Sequence, residues 1–294
     1  MKPDILCIGS VLWDIIGRAD RTMALGADVP GRITRLPGGV AMNIAMTLVR
    51  FGLRPALLTA IGQDNEGDDL IAQAAALGLD TTHVHRSPRP TDRYMAIEGA
   101  NGLIAAIADA HSLELAGAAI LDPLTNGALG AVDMPWEGLI ALDGNLTETL
   151  ITQIAASPAF AAADLRVAPA SPGKAERLRP LLSHPSATFY VNLEEANILT
   201  HGTAITAADA AVAMLARGAA RVLVTHGPHP AACGARGQPV ITATPPRIQA
   251  RRITGAGDTF MAAHIVAERN GTLRADALAA ALQAAADYVS GGGA

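Results

Sequence analysis

The sequence predicts an α/β protein with a mostly parallel central sheet covered by helices on both faces. Short apolar runs recur along the chain, and alanine-rich stretches with helical spacing lie between several of them. Half of the residues are hydrophobic (50%) and only 17% are charged, which excludes a disordered chain. Apolar strands alternating with helices are the pattern of a parallel sheet buried on both sides. The 294 residues could form one large domain or two ordinary ones. No repeat and no low-complexity linker divides them, so residues 1–294 read as a single domain.

In chain order, residues 4–9 form a short apolar run ending in Gly9, a buried strand. A helix is expected over 41–51, closed by Gly52, then a strand over 57–61 and an amphipathic helix over 66–77 stopped by Gly78. Further strands are expected at 139–142, 165–168, 188–191 and 222–225, with helices at 148–156, 174–182 and 207–216. The glycine-rich end, 291–294, is expected to fray. Two stretches, 13–37 and 83–110, have no helical period and carry turn residues. Within the second, Tyr94-Met95-Ala96-Ile97-Glu98 and Leu103-Ile104-Ala105-Ala106-Ile107 flank Gly99-Ala100-Asn101-Gly102, a hairpin around an Asn-Gly turn. Both stretches read as a small β appendage, suited to act as a lid over a site at the strand C-termini.

Composition narrows the function classes. The net charge of −5, without a Lys/Arg stripe, argues against nucleic acid as a partner. No apolar run approaches the roughly 18 residues of a membrane span. The start, Met1-Lys2-Pro3-Asp4, has an acid where a signal peptide carries basic residues, so a cytoplasmic location is expected. Cys7 and Cys233 form no paired motif and read as free thiols. Aromatic residues make up only 3% of the chain, with Trp13, Tyr94 and Phe260 the ones expected near a site. Polar side chains and glycine backbone should therefore make the ligand contacts.

Two segments carry chemistry. In Thr254-Gly255-Ala256-Gly257-Asp258-Thr259-Phe260, small residues precede an acid and a helix-like run. Bare backbone N–H groups at a helix N-terminus bind anions, and Asp258 in the first turn could accept a hydroxyl proton. The same residues are also compatible with a glycine turn and a capping acid. In Pro37-Gly38-Gly39-Val40-Ala41-Met42-Asn43, paired glycines admit a ligand close to the backbone, and Asn43 offers a donor and an acceptor to sugar hydroxyls. A plain loop-to-helix junction would look similar.

Taken together, Gly-Gly-x-x-x-Asn and Gly-Ala-Gly-Asp, in that order, resemble the two signatures of the PfkB (ribokinase-like) family of carbohydrate and nucleoside kinases. The resemblance implies a three-layer α/β/α fold with a small β lid, and ATP and Mg²⁺ as cosubstrate and cofactor. It implies Asp258 as base, with the N–H groups of Gly255, Ala256 and Gly257 as an anion hole. Asp14, Gly38, Gly39 and Asn43 would hold the acceptor. Asn192-Leu193-Glu194-Glu195 resembles the family's Asn-x-x-Glu element, which makes Asn192 a nucleotide contact and Glu195 a Mg²⁺ ligand through water. Thr225, Gly227 and Thr254 would also approach ATP. Relatives place an acid that helps bind a monovalent cation where this chain has Arg252, so a cation requirement is doubtful and activity without K⁺ is expected.

Within that family, the segment 101–109 and Leu142-Asp143-Gly144-Asn145-Leu146 resemble pseudouridine kinases. This implies Asn101 and Asn145 as contacts to a nucleoside and phosphorylation of its primary hydroxyl. The alternatives are a kinase of ribose, a ketohexose or another nucleoside, and a non-catalytic nucleoside or sugar sensor. Family analogy also implies a homodimer. The histidine pairs His83/His85 and His226/His229 lack a ligand set at metal spacing. Gly173-Lys174 is not a Walker A loop, because Ala175 stands where Ser or Thr is required.

Overall fold

The computed structural model describes residues 2–249 and 254–291. The chain opens with β1 (Ile5–Ile8), β2 (Leu12–Arg18), β3 (Arg32–Gly38) and α1 (Val40–Arg50). It continues with β4 (Pro55–Leu58), β5 (Ala60–Gly62), α2 (Asn65–Ala76), β6 (His85–Ser87), β7 (Arg93–Gly99), β8 (Gly102–Asp109) and α3 (His111–Ala116). The second half runs β9 (Leu139–Asp143), α4 (Glu148–Ala156), β10 (Asp164–Ala168), β11 (Thr188–Asn192), α5 (Leu193–Thr200), α6 (Ala207–Ala216) and β12 (Arg221–His226). It ends with β13 (His229–Ala235), β14 (Ile241–Ala243), α7 (Ala256–Arg269) and α8 (Arg274–Val289).

Eight strands form the main sheet in the order β14-β13-β12-β11-β10-β9-β1-β4. The six from β12 to β4 pair in parallel, and β13 and β14 add an antiparallel edge. Alternation along each strand divides the core in two. Leu6 and Ile8 of β1 face a cluster with α4, α5 and α6, whereas Ile5 and Cys7 face α1, α2, α7 and α8. Both cysteines are free and buried, and burial holds both thiols protonated.

A second, four-stranded sheet of order β3-β2-β7-β8 stands apart from this frame. Residues 85–87 depart from the sequence reading, since β6 pairs with β5 in a separate two-stranded sheet. The run 57–61 likewise splits at Thr59, where the chain leaves the main sheet. Residues 174–181 fall within 3₁₀ turns rather than an α-helix, and Pro180 removes a backbone donor from inside the segment. The edge strands β13 and β14 and the alanine-rich α8 were not anticipated. No helix of the described residues is long and apolar enough to cross a membrane.

A buried charged cluster fastens α7 to the sheet. Arg166 of β10 donates to Glu268 of α7 at 2.5 Å, to Tyr190 Oη at 3.0 Å and to Asp164 at 2.6 Å, and Arg221 also pairs with Glu268. Burial works against the Glu268 charge, yet Arg221, His264 and Arg166 together bring its pKa down to about 2. Burial also pushes His264 down to about 4, so it is neutral beside these guanidinium groups.

Candidate active site

The site assembles where α1 and α7 begin, at the C-terminal ends of the parallel strands, as expected for an open α/β sheet. Gly39 caps α1 with φ 94°, a conformation other residues resist, and its backbone lies against Ser10 at the end of β1. A side chain at Gly38 would overlap the Asp14 carboxylate, so the absence of a Cβ there is what lets Asp14 lean over the loop. Burial pushes the pKa of Asp14 up to about 6.

Asn43, one turn into α1, donates from Nδ2 to Asp258 Oδ2 at 3.0 Å. Burial raises the pKa of Asp258; the Asn43 hydrogen bond opposes this, while the charges of Asp143, Asp14 and Glu195 add to it, and the result is about 7. A carboxylate poised near neutrality can accept a hydroxyl proton and release it again. Gly255, with φ 85°, turns the chain into α7, and Thr259 closes the first turn by donating from both N and Oγ1 to Gly255 O at 3.0 Å. The N–H groups of this first turn have no intrahelical acceptor, and none of the described residues occupies the place where a side chain on Gly257 would stand.

Asn192 and Glu195 form a reciprocal capping box, with Glu195 N to Asn192 Oδ1 at 2.9 Å and Asn192 N to Glu195 Oε2 at 2.8 Å. The pair thus caps α5, and the Glu195 charge adds to the electrostatic load on Asp258. Burial lifts the pKa of Glu195 to about 7. Thr225 lies beside Asn192 on the neighbouring strand, and Gly227 forms the turn from β12 to β13. Among the described residues no three His, Cys, Asp or Glu side chains form a metal cage.

Asn145 joins the cluster through its amide, which donates to Ser10 Oγ at 2.8 Å and accepts from Lys174 Nζ at 2.6 Å. Burial and the neighbouring Arg177 lower the Lys174 pKa. Asn101 is not brought in: at the exposed hairpin tip its amide accepts from Met23 N at 3.1 Å and donates to Met23 O at 3.3 Å, which ties the tip to the loop that follows β2. Trp13 is turned away from Asp14. Its indole donates to Glu66 O at 2.9 Å, and Arg35 lies 4.1 Å over its ring, on the sheet face opposite Asp14. Phe260 is buried in the core, and Tyr94 stays on the Asp14 face. Arg252 lies outside the described residues.

Four residues of this constellation were missing from the sequence-based site. Ser10 and Asp143 bridge α1 to the strand ends, Lys174 reaches Asn145, and Tyr288 donates to Thr254 O at 2.9 Å. Of these, Asp143 belongs to the Asp143-Gly144-Asn145 element that carries the family resemblance, though only Asn145 is assigned a role there.

The sequence profile of the pfkB family carbohydrate kinases matches residues 2–294. The chain is 32% identical over 142 residues to the uncharacterized sugar kinase YeiI of Escherichia coli, covering 48% of this chain and 38% of that protein. It is 35% identical over 78 residues to the pseudouridine kinase of Escherichia coli, covering 26% of this chain and 25% of that one. The matched segments thus span well under half of these two relatives. A carbohydrate kinase from Agrobacterium tumefaciens superposes with a TM-score of 0.79 at 26% identity, covering 97% of this chain and 90% of the other. Its fold is ribokinase-like, and the chain belongs to the pfkB family of carbohydrate kinases.

Proposed function

We propose that the chain is an ATP-dependent kinase that phosphorylates the primary hydroxyl of a nucleoside, pseudouridine first. The observation that carries this reading is the Asn43–Asp258 contact at 3.0 Å, which sets a carboxylate of pKa about 7 in the first turn of α7. Asp14, Gly38, Gly39 and Asn43 hold the acceptor with its hydroxyl toward Asp258. The hydroxyl oxygen forms a bond to the γ-phosphorus as the bond to the β–γ bridging oxygen breaks, releasing ADP, and Asp258 takes the hydroxyl proton. The N–H groups at residues 255–257 meet the charge on the transferring oxygens. Thr225, Gly227, Asn192 and Thr254 flank the nucleotide. The carboxyls of Asp258, Asp14, Asp143 and Glu195 leave the site short of positive charge, which fits a divalent cation carried on the phosphates with Glu195 reaching it through water. Mg²⁺ bound there supplies neutralisation of phosphate charge.

A nucleoside is supported by the segment shared with the E. coli pseudouridine kinase and by the Lys174–Asn145 pair at the end of β9. An ammonium and an amide placed there suit the carbonyl and N–H edge of a base. Kinase action on a free sugar is the second reading, favoured by the longer segment shared with YeiI. ADP release with pseudouridine, uridine, cytidine, ribose and fructose separates them. Turnover of none of these, combined with ligand-induced thermal stabilisation, identifies a sensor. The Lys174→Met variant is expected to raise KM for the nucleoside by about 10-fold or more with KM for ATP unchanged, since a charged hydrogen bond is worth about 1.5–3 kcal/mol. Equal KM values for wild type and variant remove Lys174 from base recognition.

The four-stranded sheet also supports a homodimer. Its face opposite Asp14 carries Ile15, Ile33, Met95, Ile97, Ala105 and Ile107, with Ile33 78% and Ile107 70% exposed. A second copy of the same face would cover it. Light scattering is expected to give twice the chain mass for wild type and the single mass for Ile107→Glu; a monomeric wild type rejects the dimer.

A further inference from the structure

We propose that Tyr288, near the end of the chain, is a positioning residue for phosphoryl transfer, acting on the turn that aims the α7 N–H groups. This inference rests on the kinase reading above. Gly255 is the N-cap of α7, and among the described residues no side chain caps the helix there. The turn is fastened from outside instead, since Tyr288 Oη of α8 donates to Thr254 O at 2.9 Å. The ring also walls the turn. A Cβ on Gly255 would lie 2.6 Å from Tyr288 Oη, 3.2 Å from Cζ and 3.5 Å from Cε1, whereas a Cβ on Gly257 would meet none of the described residues within 4 Å. The turn is thus braced on the Gly255 side by an aromatic side chain and left open beside Gly257.

Orientation matters here because hydrogen-bond donors aid transfer only when they are fixed where charge develops. Losing the Tyr288 hydroxyl frees the Thr254 carbonyl and lets the peptide planes at residues 254–257 rotate. The consequence falls on the transition state, and therefore on kcat rather than on KM.

The test is Tyr288→Phe, which keeps the ring and removes only the hydroxyl. With an acceptor that wild type turns over, kcat is expected to fall roughly 3- to 10-fold, the range of one neutral hydrogen bond. KM for ATP and for acceptor should stay within about twofold. Inhibition by ADP with aluminium fluoride, a mimic of the transferring group, should weaken by the same factor as kcat. An unchanged kcat and an unchanged inhibition constant overturn the proposal, as does a variant whose only change is a lower Tm. Absence of wild-type turnover with every acceptor is a different result, because it rejects the kinase reading before the variant is compared.

Discussion

Asp258→Asn is expected to lower kcat by about 10²- to 10⁴-fold, the usual contribution of a positioned base, while KM for the acceptor changes little. The amide retains an oxygen to accept from Asn43 Nδ2, so the geometry of the α1–α7 contact persists. Proton acceptance is lost with the carboxylate. The pH dependence follows from the same group. With a pKa pushed up to about 7 by burial and by neighbouring acids, Asp258 is an effective base only above that pH. The wild-type profile of kcat/KM should therefore lose activity as pH falls through about 7. A kcat within a few-fold of wild type, or no acid limb between pH 5 and 8, rejects Asp258 as the base.

The same substitution should make the protein more stable. The pKa of Asp258 is raised on folding from its ordinary value of 3.8 to about 7, so the folded state holds this proton more tightly than the unfolded chain. Its ionisation costs nothing below about pH 4, and the cost grows as pH rises toward about 7. Because the side chain is partly open to water, the realised cost at pH 8 is about 1–2 kcal/mol. Asp258→Asn removes it, raising Tm at pH 8 by a few degrees and much less at pH 5. Loss of turnover together with a gain in stability is the signature of a site held under electrostatic strain.

The parts of this site legible in the sequence are those made by neighbours along the chain. Gly38, Gly39 and Asn43 lie within one loop and the first turns of one helix, and residues 255–258 within another, so their motifs survive as short words. The central parallel strands were legible for a related reason: runs buried on both faces must be apolar throughout. β13 was not legible, because its His229, Pro230 and Gly234 give neither alternation nor a continuous apolar run. α8 was missed because alanine covers both its buried and its exposed positions, leaving little contrast between faces. Asn43 meets Asp258 across 215 residues, and Ser10 meets Asp143 across 133. Contacts of that span exist only after the sheet orders its strands. Asn101 is a case of the same kind, since its amide meets Met23 across 78 residues, a contact that the Asn-Gly word does not reveal.

Asp143 is where the largest loss of stability is expected. Its fully buried carboxylate accepts from Ser10 N at 2.8 Å, Ser10 Oγ at 3.1 Å, Ala41 N at 3.0 Å and Asn145 N at 2.7 Å. One side chain thus ties the ends of β1 and β9 to the start of α1, and Gly9 stands beside it because a Cβ there would overlap the carboxylate. Burial raises its pKa, and the four donors oppose that rise, so the group matches a carboxylate acceptor and not an alcohol or amide. Asp143→Ala strands buried N–H groups and is expected to cost about 3–5 kcal/mol in denaturant unfolding, with KM for the acceptor raised because Gly39 and Asn145 lose their support. Asp143→Asn is the gentler probe. Three of the four donors converge on Oδ2, so the amide oxygen takes that position and only the Asn145 N–H faces an NH₂, a loss of about 1–2 kcal/mol. Both variants also remove a charge that raises the pKa of Asp258, so the acid limb of the activity profile should move to lower pH. An Asp143→Ala protein as stable as wild type, or an Asp143→Asn profile whose acid limb does not move, shows that this carboxyl neither holds the site together nor sets its charge.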